Sequence, residues 1–460
     1  MSAHPSSVAR CVAVVIAAVV VAASAVGAAT PLMAQQLPAV LTLEDALALA
    51  REYSPVYQRT TNDLDVASAS VRSAWGAFLP SLSTSLSFGG SSSRRIIAED
   101  EFGEVIERPQ SSTFRSSSAS QGISSSLTLF DAAMWRRPAE QRALYAATEA
   151  AVDATAVQVT AQVSRAFYQA VRATRDIALE EQLLASARER LERTEELMRL
   201  AARNRVDLLG AQEDVLIAEQ NLARVRGEAD KVRLALSTAI GIEPPSALAL
   251  DTVLPAVFDP AALDVDQLVA RALASSPTVL QRQAALRAAG HRRSAAGASR
   301  LPTISASAGY SRSVSAQDFG AIGDIDLPNS GLSFGFGVSL PLFSRFQTAA
   351  AIEQADAAAD DAAHDLRLAR LTAEQQVRSA VIDVTNAYRA LQLAEERAAL
   401  SRERLELTLE RYGLGGGSFT ELQAVIDRTS QAEREALNAR FAFLLARIDL
   451  EEILGSRLEL

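Results

Sequence analysis

The residues able to do chemistry are few. Cys11 is the only cysteine, and the histidines are His4, His291 and His364. That inventory excludes zinc-finger, iron–sulfur, disulfide and cysteine-nucleophile chemistry. His364 has ligand spacing to Asp360, Asp361 and Asp365 on a helix, but the stretch is Ala-rich and polar and reads as a solvated face. The glycine-rich run from Gly413 lacks the preceding strand and the closing Lys-Ser/Thr of a phosphate loop, so it reads as a turn. No Ser/His/Asp set assembles. Catalytic, cofactor and metal sites are therefore expected to be absent, and the chain does not read as an enzyme. Acids outnumber bases, 55 to 45, for a net charge of −10, which argues against nucleic acid as a partner.

What remains is charge placed at helix starts and polarity placed along strands, and both depend on the elements that carry them. Residues 1–34 read as an export signal: a polar start with Arg10, an Ala/Val-rich run over 12–29, and cleavage after Ala34 or Ala28. The other reading of that run is a retained membrane helix, since about 18 apolar residues just span a bilayer. Cys11 precedes the run and so is not a lipoprotein cysteine. Beyond it the chain is a tandem repeat. Ser54-Pro55 and Leu79-Pro80 recur as Ser276-Pro277 and Leu301-Pro302, while Gln162-Val163 and Ile240-Gly241 recur as Gln376-Val377 and Leu454-Gly455. Repeat one runs over 42–241 and repeat two over 264–455, joined by a linker (242–263) holding Pro244, Pro245, Pro255 and Pro260. The second copy is shorter only between its Leu-Pro and Phe343, which marks a surface loop there.

Each repeat opens with an N-cap, Thr42 or Asp264, and a second cap before proline, Ser54 or Ser276. Strict alternation follows the Leu-Pro steps. Ser81, Ser83, Ser85 and Ser87 interleave with Leu82, Thr84, Leu86 and Phe88; later, Leu332, Phe334, Phe336, Val338 and Leu340 interleave with Ser333, Gly335, Gly337 and Ser339. Four strands of about nine to eleven residues are expected, the returning ones at 122–130 and 331–343, with polar loops at 91–117 and 312–330. Small polar residues on one face and apolar ones on the other suit a strand between lipid and a wet lumen. Leu82, Leu86, Phe88, Phe334, Phe336 and Val338 are then the lipid-facing residues.

After its first turn, the stretch 137–200 contains no proline or glycine, and 64 helical residues would span ~95 Å. Heptad rows run through Ile177, Leu184, Leu191 and Met198, through Leu391, Ala398, Leu405 and Tyr412, and along the returning helix through Leu208, Val215, Leu222, Ala229 and Leu236. Four strands cannot close a barrel, and open edges are not viable in a bilayer, so strands must be borrowed from other copies. Cyclic symmetry gives eight strands in a dimer or twelve in a trimer. An eight-stranded interior is filled by side chains, and Ser and Gly leave room, so twelve fits better.

The duplicated Ser-Pro and Leu-Pro steps, the LTLFD and LPLFS strand-to-helix steps, and RYGLGGGSFTEL resemble the TolC-like outer-membrane efflux protein family over about 42–455. The resemblance implies a mainly α fold with a membrane β-barrel contribution. Long coiled-coil-like helices would form a periplasmic α-barrel, and four strands per protomer would give a trimer twelve strands in the outer membrane. It implies a homotrimer that contacts outer-membrane lipid and docks a periplasmic adaptor (membrane fusion) protein and an inner-membrane pump. Such an assembly is an exit duct for efflux or type I secretion. Family tips carry a tyrosine nine residues before an acid, which Tyr412 and Glu421 match, and Asp207 matches the first-repeat acid; these would form a periplasmic gate. A second acid expected three residues after Glu421 is Ala424 here. Arg203, Arg205, Gly413, Leu414, Gly415, Gly416, Gly417 and Ser418 would face the adaptor. The plain alternative for Glu421 is an acid favoured by the helix dipole. The alternative for the whole chain is a structural periplasmic coiled coil or adaptor outside any membrane.

Overall fold

The computed structural model describes residues 40–99, 105–199, 204–243, 249–319, 321, 326–414, 416 and 418–458, with backbone only at 95–99 and 105–112. The export signal, Arg203, Gly415 and Gly417 lie outside the described residues. Elements follow one order twice. The first set is α1 (Leu43–Tyr53), α2 (Pro55–Gly76), β1 (Ser81–Glu99), β2 (Val105–Phe130), α3 (Arg137–Arg199) and α4 (Arg205–Ile240). The second is α5 (Val265–Ser275), α6 (Pro277–Ala298), β3 (Thr303–Ala316), β4 (Asn329–Ser339), α7 (Gln347–Gly413) and α8 (Phe419–Leu454).

Caps start these helices. Thr42 and Asp45 form a reciprocal capping box, and Asp264 accepts from the N–H groups of Asp266 and Gln267. Ser54 and Ser276 each precede a proline at the first helical position and make no side-chain cap bond. Gly241 and Gly455 close α4 and α8 at φ +89° and +69°. These two glycines meet the Ser-Pro joints. A Cβ on Gly241 would lie 2.6 Å from the Tyr53 carbonyl oxygen and 3.0 Å from Pro55 Cδ; on Gly455 it would lie 3.4 Å from Pro277 Cδ. Thus α4 ends against the start of α2, and α8 against the start of α6.

The long helices α3 and α7 each pack along a returning helix, α4 and α8 respectively, in one half and along α2 and α6 in the other. Helices α3 and α8 also touch, giving the lateral order α4–α3–α8–α7. The main core lies near the middle of the shaft, where Phe167, Val163, Val377, Leu236, Ile240, Phe441, Phe443 and Leu454 are buried with α1 and α5 over them. Val163 and Val377 are the repeat-matched pair.

The strands form one antiparallel sheet in the order β1-β2-β3-β4, so β1 and β4 are free edges within the chain. β1 and β2 extend far past the expected nine to eleven residues, and most of 91–117 is paired strand instead of loop. Polar composition did not break the strand because the hairpin satisfies its own backbone groups wherever it runs. The ladder shifts register only between Ile97 and Glu99, near Pro109, which has no N–H to donate. In the second hairpin, β3 runs to Ala316 and β4 starts at Asn329, so the connection is shorter than 312–330. β4 ends at Ser339 and not at Phe343; Pro341 offers no ladder N–H.

Register sorts the sheet into two unlike faces. On one, Ser81, Ser83 and Ser87 pair with Ser126, Ser124 and Ser120, and their hydroxyls bond across at 2.7–2.8 Å. The same face continues through Ser307, Gly309 and Ser311 to Gly335, Ser333 and Gly331. The other face carries Leu82, Leu86, Phe88, Ile123, Tyr310, Leu332, Phe334, Phe336 and Val338, all strongly exposed in the single chain. Part of the β3–β4 connection folds back onto this apolar face. Ser117 Oγ accepts from Ala321 N–H at 3.0 Å and donates to the Asp318 carbonyl oxygen at 2.5 Å. Ala119 of β2 and Ala321 and Leu327 of the connection are buried, and the Arg115 guanidinium lies 5.6 Å from the Phe319 ring centroid.

Candidate functional site

Two regions could serve a duct: the helix-turn tips and the faces of the sheet. At the first tip, Asn204 caps α4, its Oδ1 accepting from Asp207 N–H at 2.9 Å. At the second, Ser418 Oγ accepts from Glu421 N–H at 3.1 Å. Asp207 and Glu421 therefore hold the same helical position in the two repeats, within the first turn, where the dipole favours an acid. Their surroundings differ. Glu421 is ion-paired with Arg411 on α7 of the same protomer. Arg205 is exposed and Asp207 half-buried.

Tyr412 is buried in an apolar cluster with Leu422 and Ile426, edged by Leu405, Leu409 and Phe419. Leu405 and Tyr412 belong to a heptad row, so this cluster is the end of the α7–α8 seam. Around it the turn is drawn tight: the N–H of Gly416 donates to the Arg411 carbonyl oxygen at 3.0 Å. Leu414 projects from the turn, 85% exposed, beside Gly413. The two tips touch. A Cβ on Gly210 would come within 2.8 Å of the Phe419 ring, and Gln423 Nε2 donates to Asp214 Oδ1 at 2.9 Å.

Above the tips lies a buried polar group that sequence reading missed. Arg434 on α8 binds Glu180 on α3 through Nε and Nη2, at 2.7 and 3.1 Å, and Glu180 is 3% exposed. Its carboxylate raises the pKa of the Arg434 guanidinium. Burial pushes the carboxyls of Asp176 and Asp214 up and the guanidinium of Arg190 down. The signal was present as charges on otherwise apolar seams, but only the pairing of α3 with α8 reveals which ones meet. Asp365, in the His364 group, is ion-paired with Arg282 at 3.2 Å.

None of these arrangements brings a nucleophile to a base. What the molecule offers is a polar sheet face, an apolar sheet face and a long helical shaft. A family model described as outer membrane efflux protein matches residues 46–242 and again 268–456. The chain belongs to the outer membrane efflux protein family. It is 22% identical to the outer membrane protein TolC of Vibrio cholerae over 88% of this chain and 89% of that protein. Its fold is similar to that of CusC (TM-score 0.72, 19% identity, 90% of this chain and 92% of CusC). It is also similar to the Vibrio cholerae outer membrane protein VceC (0.68, 16%, 91% and 97%) and to the Campylobacter jejuni CmeC outer membrane channel (0.71, 15%, 90% and 85%). The outer membrane efflux family accounts for the mainly helical fold with four strands. It makes the chain an outer-membrane channel component, not an enzyme, and sets aside the membrane-free coiled coil. Among the described residues no helix is long and apolar enough to cross a membrane. Strands are the elements such a channel would insert.

Proposed function

We propose that three copies of this chain close into a passive exit duct of a tripartite efflux or type I secretion system, crossing the outer membrane and the periplasm. The observation that carries this reading is the sheet. It has two free edges, one face of Ser and Gly, and one face of Leu, Phe, Val and Ile. A four-stranded sheet cannot satisfy its edges in lipid, whereas three of them joined β4 to β1 make twelve strands without an edge. Leu82, Leu86, Phe88, Phe334, Phe336 and Val338 then meet lipid, and the serine face lines water. The helices leave from one end of the strands, so the β1–β2 and β3–β4 connections face the cell exterior. At the far end of the shaft, Tyr412, Glu421 and Asp207 form the constriction. Arg203, Arg205 and residues 413–418 meet a periplasmic adaptor that links the duct to an inner-membrane pump.

The test is the purified protein in planar bilayers, alongside its mass in detergent. A trimer with small, cation-selective conductance is expected, because three Glu421 carboxylates around one axis attract cations. Arg411 offsets part of that field. Glu421→Gln should lower the selectivity, and Tyr412→Phe with Asp207→Ala should raise conductance. A monomer, or a channel indifferent to all three changes, overturns the duct or the gate respectively.

A further inference from the structure

Charge is distributed on the sheet in an unexpected way. Over 81–94, 113–130, 303–316 and 329–339 the strands carry three charged side chains, all of them arginines: Arg94, Arg115 and Arg312. Each is exposed, and each lies an even number of residues along its strand from Phe88, Ile123 or Tyr310, so all three share the apolar face. Over the same residues the serine face carries no charged side chain. Charge that served only to meet water would sit on the serine face, where the lumen is wet.

The arginines also gather at one end of the apolar face. Ile123, Tyr310 and Leu332 form its last apolar row on β2, β3 and β4, and Gln121, Arg312 and Ser330 form the next. Arg115 lies six residues further out along β2, ~20 Å along the strand. It pairs with Ser92 and is a diagonal neighbour of Arg94 on β1. The hairpin's acids, from Glu99 to Glu107, come beyond this tier in the sequence. Two contacts hold the guanidinium groups. Arg312 Nε donates to the Leu327 carbonyl oxygen at 3.1 Å, a bond that uses one of its five N–H donors. Arg115 lies 5.6 Å from the Phe319 ring centroid. Asp318 and Asp326, on the same connection, temper the charge without reversing it.

We propose that Arg94, Arg115 and Arg312 bind phosphate groups on the headgroup of an outer-leaflet glycolipid, whose acyl chains lie along Phe88, Ile123, Tyr310 and Leu332. This rests on the duct proposed above, which turns the apolar face toward lipid and the strand connections toward the cell exterior. Anionic headgroups stand at the edge of the apolar belt, and the planar fork of arginine matches phosphate oxygens two at a time. The two tiers select an extended headgroup with more than one phosphate over a glycerophospholipid, whose single phosphate stays close to its acyl chains.

The test compares the full-length protein, purified from outer membranes in detergent, with its Arg94→Gln, Arg115→Gln, Arg312→Gln triple variant. Lipopolysaccharide carried through purification, measured by its sugar content, should fall at least tenfold in the variant, while oligomer mass and channel conductance stay those of the wild type. After delipidation, added lipopolysaccharide should raise the unfolding temperature of the wild type and not of the variant. Phosphatidylglycerol and inorganic phosphate should raise neither. Equal retention of lipopolysaccharide by both proteins would overturn the site and leave the duct standing. A wild-type response to phosphatidylglycerol as large as that to lipopolysaccharide would overturn the choice of headgroup, and a response to inorganic phosphate alone would overturn the lipid. A wild type that forms no channel would overturn the duct, and the site with it.

Discussion

In the shaft, Phe441, Phe443, Leu236 and Ile240 are buried by helices of the same chain, while in the sheet Leu82 and Phe334 stand 77% and 78% exposed. One region carries its core within the protomer. The other exposes its apolar side and two free edges, which in the proposed duct are covered by lipid and by neighbouring copies. The hydrophobic effect is the same in both; what differs is who supplies the covering. The shaft should therefore tolerate isolation from lipid, and the sheet should not.

The largest effect is expected where that contrast is attacked directly. Phe334→Arg and Phe336→Arg put charge on the lipid side at about 2–4 kcal/mol each near the midplane. Heat-modifiable trimers should be lost while the far-ultraviolet helical signal persists; normal trimers would mean the faces are assigned the wrong way round. Phe443→Ala should cost about 3–5 kcal/mol, read as a lower unfolding temperature of the helical part. If it acted as strongly on membrane insertion as on the shaft, the two regions would not be separable.

The buried ion pair sharpens the comparison. Glu180→Ala removes the carboxylate partner of Arg434, whose side chain keeps 37% of its surface in water, and should cost about 1–2 kcal/mol; Glu180→Leu with Arg434→Met should recover most of it. Equal losses in the single and double variants would show that packing around the site matters more than charge. Cap removal comes next: Ser418→Ala and Asn204→Ala should each cost about 1 kcal/mol, visible as faster amide exchange in the first turns of α8 and α4. The smallest effect is that of pH. Burial raises the carboxyl of Asp214, so its ionised form is disfavoured in the fold. The stability it contributes is present below its unfolded value and lost as pH rises through the raised one. Amides around residue 214 should gain protection as pH falls from neutral toward about 4, and Asp214→Asn should flatten that response.

Much of this was legible in the sequence. The duplicated Ser-Pro and Leu-Pro steps predicted the helix starts and stops, and the alternation around Ser83 and Phe334 predicted both faces of the sheet. Strand ends were not legible, because a serine-rich hairpin has no hydrophobic boundary to mark where it stops. Residues 317–328 were read as plain loop, yet part of them folds back over Ala119. Ser117, which looked like one more polar strand residue, anchors that fold. At the tips the acids were found through resemblance, but the partner of Glu421 was not. Arg411 lies in an arginine-rich helix, where nothing in spacing alone selects it over Arg404. The Glu180–Arg434 pair spans 254 residues and depends on which helices are neighbours.

The meeting of Gly241 with Ser54-Pro55, and of Gly455 with Ser276-Pro277, makes each half of the shaft a ruler with two matched scales. One scale is an unbroken helix of 63 or 67 residues; the other is two shorter helices laid end to end beside it. A single residue inserted into either scale would advance it by ~1.5 Å and turn it by ~100°, pulling glycine off proline and rotating every heptad row past its partner. Length can change freely only where there is no second scale to match, at the strand connections. There the two copies of the repeat have diverged, so the reach of the shaft is inherited as a fixed quantity while the outer surface is left open to change.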